Sequence, residues 1–508
     1  MKFKKLEKYS KYYKPAILVL SLAFVFFLVY SIHSNYQFPF HTDEWQHIAQ
    51  AVSITEKGYG GIHPYFKEEP IRRDYEVGFH LFLSELFLTT GMDPILHFKF
   101  LPALFAVIAA FILFVFISRI TNFMTGIFSI LFFAGLKSNV NILGLWFFLP
   151  LTIAIPLLYL LFFVFSESLE RRSIKLFYSA IFILFAILFL HGLSAVFAAP
   201  LLVLYTIIKF KKFRALFKEI EKHYIIVGLL IALFFSVGII LMWHGSFSAT
   251  LDTIKSLLVF ESGWTNYEKI YNPLSLYAPI SLILVFLGLV RSVQNPRKRF
   301  FLIWAVFVSL IIAIFYAFKV SFLVPYQRAL YYAYLALVPL SAFGLNFLIE
   351  LLKKASPFKK KTSSKKWLFA VSAIIVISVF TMHFSDYYEV EKDVNLYHHT
   401  ENYEYDALKW LENNYGTHNV VLAMPGESTA IYPISKSYVW AIIPAQLGGG
   451  IDVNKFFSED NCDYRKDFLK QYPSDFVYSK KRIICDFLKE VYTKKVFIYE
   501  VREYVPYL

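Results

Sequence analysis

The chain has 508 residues, 57% of them hydrophobic and only 17% charged, with a formal net charge of +14. A soluble protein of this size would be nearer a quarter charged, so the composition excludes a soluble globular fold. The Lys and Arg residues are spread over several short loops, which excludes a nucleic-acid-binding surface as the source of the positive charge.

Apolar runs close to the ~20 residues of a bilayer crossing recur from end to end. In chain order they predict about eleven transmembrane helices, at roughly 15–33, 95–117, 121–137, 148–165, 176–191, 193–208, 224–243, 274–290, 300–318, 329–350 and 367–384. The N-terminal MKFKKLEKYSKYYK is basic. So is every second loop after it: ERRSIK (170–175), KFKKFRALFKEIEK (209–222), RSVQNPRKR (291–299) and KKASPFKKKTSSKK (353–366). The positive-inside rule then places the N-terminus in the cytoplasm and residues 385–508 in an extracellular or periplasmic space. No small-residue cleavage site follows the first run, which therefore reads as an anchor. The expected organisation is a polytopic α-helical membrane domain over 1–384 with a large first external loop at 34–94, followed by an external α/β domain over 385–508.

The first external loop opens with HTDEWQHIAQAVSITEKG, residues 41–58. Thr42 can cap a helix that starts at Asp43, and Gly58 can end it. Trp45, Ile48, Ala49 and Val52 then form one apolar stripe, and Asp43, Gln46, His47 and Gln50 a polar stripe opposite. Such a helix is expected to lie flat on the membrane surface. Two readings of the adjacent carboxylates stay open at this point. Asp43 and Glu44 can stabilise first-turn N–H groups by up to ~1 kcal/mol, or they can serve chemistry at the membrane surface.

Next comes KEEPIRRDYEVGFHLFLSELFLTTG, a charged loop and a short amphipathic helix ending at Gly91, and then the second predicted span. This arrangement resembles the GT-C superfamily of membrane glycosyltransferases, which take sugars from polyprenyl-phosphate carriers such as dolichyl phosphate. Protein O-mannosyltransferases, the lipid A aminoarabinose transferase and the oligosaccharyltransferase catalytic subunit are members. DEWQHIAQAVSITEKG is similar to the superfamily's acidic motif on a membrane-surface helix, and DYEVGFHLFLSELFLTTG to the Tyr-Pro-Pro-Gly-Phe-His pattern after it. Here Glu76 and Val77 stand where the prolines usually are.

The resemblance implies inverting displacement at an anomeric carbon, with a polyprenyl phosphate leaving. It implies Asp43 as general base or metal ligand, with Glu44 beside it. Arg328, at the outer end of a late span, would contact the donor phosphate, as would His80 in Gly-Phe-His. His191 and Asp74 are additional candidates. No cofactor is required, although a divalent cation, Mg2+ or Mn2+, held by Asp43 and phosphate oxygens suits the chemistry. The partners implied are the lipid-linked donor, a protein, glycan or lipid acceptor, and the membrane lipids. Residues 405–441 resemble the external domain of oligosaccharyltransferases, but Met424-Pro425-Gly426-Glu427 replaces the Trp-Trp-Asp-Tyr-Gly motif that reads the acceptor sequon there. Transfer of a single sugar is therefore expected, not of a whole glycan.

Cys462 and Cys485 are the two cysteines, both in the segment predicted to be external, and read as one disulfide. Two rival functions have the same architecture, a lipid or glycan transporter (flippase) and a catalytically inactive scaffold. Transporters place ionisable residues at mid-membrane. Here they gather at the predicted external rim, which favours interfacial chemistry.

Overall fold

The computed structural model describes residues 2–59, 63–67, 76–136, 138, 142–218, 279–355, 398–443 and 453–502, with short pieces at 224–226, 228–229, 232–233, 236, 259–260 and 373. Asp74, the predicted span at 367–384 and most of the one at 224–243 lie outside the described residues. The chain forms two compact units, Met1–Ile32 with Leu101–Val390, and His33–Phe100 with Glu391–Leu508. The loop at 34–94 and the C-terminal segment, far apart in sequence, thus share one unit.

The described helices, in order, are α1 (Lys2–Ser31), α2 (Thr42–Lys57), α3 (Val77–Thr90), α4 (Leu101–Ile120), α5 (Phe123–Ala134), α6 (Pro150–Arg171), α7 (Ile174–Leu190), α8 (Gly192–Ile208), α9 (Phe210–Lys218), α10 (Pro279–Gln294), α11 (Arg299–Phe318), α12 (Tyr326–Ala355) and α13 (Asn402–Tyr415), with four shorter helices after them. Five stretches are long and apolar enough to cross a membrane: Tyr13–Ser34, Phe98–Ile120, Pro150–Arg171, Arg299–Phe318 and Tyr326–Lys354. Counting the bent pair α8–α9 makes six. The chain is therefore an integral membrane protein, with five or six such spans among the described residues where about eleven are expected from the sequence. The predicted span at 121–137 is one that falls short, at α5. Its 12 residues reach only ~18 Å, short of the ~30 Å core, and buried irregular backbone follows at 142–149.

The first unit is apolar inside and out, as a membrane solvent requires. Trp304 sits fully buried among the rings of Tyr159, Phe162, Phe197 and Phe300. Phe182, Phe286 and Phe318 point outward and exposed. Helices α10 and α12 touch backbone to backbone: a Cβ on Gly288 would fall 1.9 Å from the Leu340 carbonyl oxygen, and one on Gly344 1.8 Å from that of Leu284. The basic segments meet at one end of this unit. Lys209 pairs with Glu170 at 3.7 Å and donates to the Pro296 carbonyl at 3.4 Å. Arg291 reaches Glu350 at 3.3 Å. The alternation of basic loops along the sequence is thus an alternation of helix direction in space.

In the second unit a five-stranded mixed sheet runs in the order β4-β3-β5-β7-β6. Its strands are β3 (Val420–Leu422), β4 (Tyr438–Val439), β5 (Phe476–Ser479), β6 (Leu488–Thr493) and β7 (Phe497–Val501). The first three pair in parallel, and β7 runs antiparallel to both β5 and β6. Short β1 (Val259–Phe260) and β2 (Ser321–Phe322) pair separately in the first unit. Cys462 and Cys485 are bonded, with Cα atoms 5.6 Å apart, and close a loop of 23 residues' separation. Loop closure of that length is worth about 3 kcal/mol in the chain-entropy model. Arg465, buried beside the bond, donates to the Phe456 carbonyl at 3.1 Å.

Candidate active site

Helix α2 begins one residue earlier than the sequence suggests. Its cap is His41, not Thr42: the imidazole Nδ1 accepts from the Asp43 backbone N–H at 3.0 Å. The Thr42 hydroxyl is engaged elsewhere, 2.5 Å from His399 Nε2. The two carboxylates that follow have separate fates. Glu44 is fully buried, and its Oε2 accepts from the backbone N–H groups of Phe40 at 2.8 Å and His41 at 3.0 Å. It completes a capping box. Asp43 is the more accessible member, half-buried with its side chain 39% accessible, and its Oδ2 is 3.6 Å from His41 Nδ1. Because that nitrogen already accepts an N–H, a neutral His41 has no proton there for the carboxylate. Among the described residues no Lys or Arg pairs with Asp43.

The apolar stripe of α2 is covered by protein. Trp45, Ile48 and Ala49 are wholly buried, and the Trp45 indole donates to the Pro39 carbonyl at 3.1 Å. Tyr65 clamps the helix to the C-terminal segment, its hydroxyl donating to the carbonyls of Trp45 at 3.2 Å and Thr429 at 2.7 Å. On the polar stripe Gln46 donates to the Ile443 carbonyl at 2.6 Å. One turn after Asp43, His47 Nδ1 lies 2.9 Å from His80 Nε2, and its own Nε2 is 3.7 Å from Glu76. His80, buried on α3, is thus tied to the same polar face as Asp43. His47 is already on the polar stripe with Asp43 in the sequence, whereas the parts played by His41 and Glu76 escape a reading of sequence. The signal for His47 is its four-residue spacing from Asp43, which places them on one helical face.

Arg328 and His191 belong to the other unit. Arg328 stands in the first turn of α12, buried, and donates to the Ile142 carbonyl at 3.2 Å. One turn on, the Tyr332 hydroxyl meets Ser194 Oγ at 2.8 Å, and Ser194 meets His191 Nδ1 at 2.7 Å. The Tyr332 ring stacks on Phe197 at 4.2 Å. This buried chain joins the start of α8 to α12, one turn from Arg328.

A third polar cluster lies where the sequon motif of oligosaccharyltransferases is expected. Lys480 reaches Glu404 at 2.8 Å and Glu427 at 3.9 Å, and the Tyr478 hydroxyl donates to Glu404 at 3.3 Å. Glu427 Oε2 is buried without a hydrogen-bond partner among the described residues. Burial pushes the Glu427 carboxyl up to about 7, only partly offset by Lys480, with Glu404 adding to the rise. Among the described residues no three His, Cys, Asp or Glu side chains converge to hold a metal ion. Asp43 alone offers one hard oxygen group, short of the ligand set of Mg2+ or Mn2+.

No protein-family model and no curated protein matches the sequence. Solved structures do. The apo oligosaccharyltransferase of Archaeoglobus fulgidus aligns with 93% of this chain over 70% of its own, at 12% identity and a TM-score of 0.61. The oligosaccharyltransferase AglB from Archaeoglobus fulgidus, in complex with an inhibitory peptide and a dolichol-phosphate, aligns over the same shares at 12% identity and 0.56. ArnT from Cupriavidus metallidurans, in the apo state, aligns with 96% of this chain over 98% of its own, at 11% identity and 0.53. At such identities the likeness is one of fold. Both kinds of protein are members of the GT-C superfamily of membrane glycosyltransferases, and this chain has the GT-C fold.

Proposed function

We propose that the protein is an integral-membrane glycosyltransferase that moves one sugar from a polyprenyl-phosphate donor to an acceptor on the outer face of the membrane. The observation that carries this reading is the division within the acidic pair: Glu44 is spent on the helix cap, while Asp43 stands half-buried beside it with its carboxylate accessible. Glu44 already completes the cap, which leaves the Asp43 carboxylate available to a substrate.

In the proposed reaction the acceptor hydroxyl attacks the anomeric carbon from the face opposite the phosphate. Its proton passes to Asp43, the bond from the anomeric carbon to the phosphate oxygen breaks, and the polyprenyl phosphate departs with the electron pair. Arg328 is proposed as the guanidinium partner of that phosphate, for which its fork is suited, and His80 as a further donor. The Archaeoglobus fulgidus structure with a bound dolichol-phosphate supports a lipid-phosphate carrier.

The test is turnover of purified, reconstituted protein against a panel of polyprenyl-phosphate sugars, with products identified by mass spectrometry. A new glycoside of inverted anomeric configuration is expected from at least one donor. Transmembrane movement of an intact donor without any cleavage would replace the proposal with a transporter.

A further inference from the structure

Helix α9 sits where a membrane helix turns onto a surface. The α8–α9 pair is bent by 89° at Lys209. The last turns of α8 present exposed apolar side chains, Val203, Ile207 and Ile208, so α8 ends inside an apolar medium and α9 runs at right angles to it. The inner face of α9 is held by packing. Leu216 is buried, and the Phe213 and Phe217 rings lie 6.0 and 5.4 Å from Phe177 on α7. Lys212 on the flank pairs with Glu170.

The remaining face is cationic. Lys211, Arg214 and Lys218 are all exposed, and their spacing of three and four residues puts them on one side of the helix. Among the described residues no carboxylate pairs with any of the three. Phe210, also exposed, begins the helix at the edge of this face. A row of cations on a helix at right angles to the lipid-facing α8, with an aromatic ring at its margin, fits the headgroup layer of a bilayer and not its core.

We propose that the Lys211–Arg214–Lys218 face of α9 is a binding surface for anionic glycerophospholipid headgroups. The occupant follows from charge complementarity and from continuity with the lipid-facing end of α8. Three exposed cations attract a negatively charged headgroup layer, and each contributes roughly a fivefold preference near such a surface. This role is independent of the reaction proposed above, because it uses no residue of the candidate active site.

The experiment places the full chain in nanodiscs of equal parts phosphatidylcholine and phosphatidylglycerol and counts retained lipids by native mass spectrometry. Wild type is expected to retain phosphatidylglycerol in preference. The combined Lys211→Gln, Arg214→Gln and Lys218→Gln variant is expected to lose about a hundredfold of that preference, and Arg214→Gln alone about fivefold. Raising the salt should weaken the wild-type preference in the same direction. A control carrying Lys470→Gln, Lys489→Gln and Lys494→Gln, all exposed in the second unit, should retain lipid as wild type does. Undiminished preference in the α9 variants, or an equal loss in the control, overturns the proposal. Selective retention of added polyprenyl monophosphate over phosphatidylglycerol also overturns it, and assigns the face to the carrier lipid instead.

Discussion

Two neighbouring carboxylates on α2 give opposite experimental signatures. Asp43→Asn keeps the side chain's size, leaves the cap of His41 and Glu44 in place and removes the proton acceptor. Loss of a general base costs roughly 10²–10⁴-fold in turnover, or about 3–5 kcal/mol of barrier, and the melting temperature should hardly move. Glu44→Gln should do the reverse. The amide oxygen can still accept from Phe40 and His41, but the charge assistance at a buried cap is lost, for about 1 kcal/mol of stability. Turnover and melting of the two variants, measured side by side, check this. Equal and small effects from both would return Asp43 to a helix-terminal role. Glu427 supplies the pH dependence. Its carboxyl is pushed up to about 7 in the folded chain from an ordinary 4.5, so the native state holds a proton that the unfolded state has lost. Stability is then full below about pH 4.5 and falls as pH rises toward 7. Glu427→Gln should remove this slope and raise stability at pH 8 by about 2–3 kcal/mol, read from chemical denaturation at a series of pH values.

At the scale of elements, the contact of α10 with α12 is the most sharply constrained. Gly288 and Gly344 each face a backbone carbonyl of the partner helix at a distance no side chain tolerates. In a membrane, where apolar burial gives little drive to associate, such close backbone approach supplies the packing that joins helices. Gly288→Ala must push the helices apart and should cost about 1–3 kcal/mol. A lowered melting temperature in detergent, with no change in the folding of the second unit, checks the expectation. Helix α2 teaches a related point. Its two stripes are readable from spacing alone, yet what covers the apolar one is not, because a membrane surface and a protein interior ask for the same pattern. Tyr65, Thr429 and Pro39 show that protein covers it.

For the whole molecule, the basic loops gather at one end of the first unit through Lys209, Glu170, Pro296, Arg291 and Glu350. If that end is cytoplasmic, a cysteine introduced as Lys218→Cys should resist a membrane-impermeant maleimide in intact cells and react once the membrane is opened. One introduced as Lys470→Cys, in the second unit, should react at once. Both native cysteines are in the disulfide and stay silent. The opposite labelling pattern would invert the topology.

Much of this molecule was legible before any coordinates. Composition alone demands a membrane solvent, and a period of three to four residues marks both faces of α2. The alternation of basic loops encodes helix direction, and two cysteines in one segment announce their bond. These are properties of local chemistry, written into neighbouring residues. Tertiary structure decided what depends on residues distant in sequence. His41 caps α2 and the Thr42 hydroxyl meets His399, a residue 357 positions away. Glu44 turned inward and Asp43 outward because adjacent helical residues point about 100° apart and only one side of α2 faces the interior. His80 joined the polar face through His47, and Arg328 met a carbonyl 186 positions away. Spacing tells which residues share a face; only packing decides what that face meets.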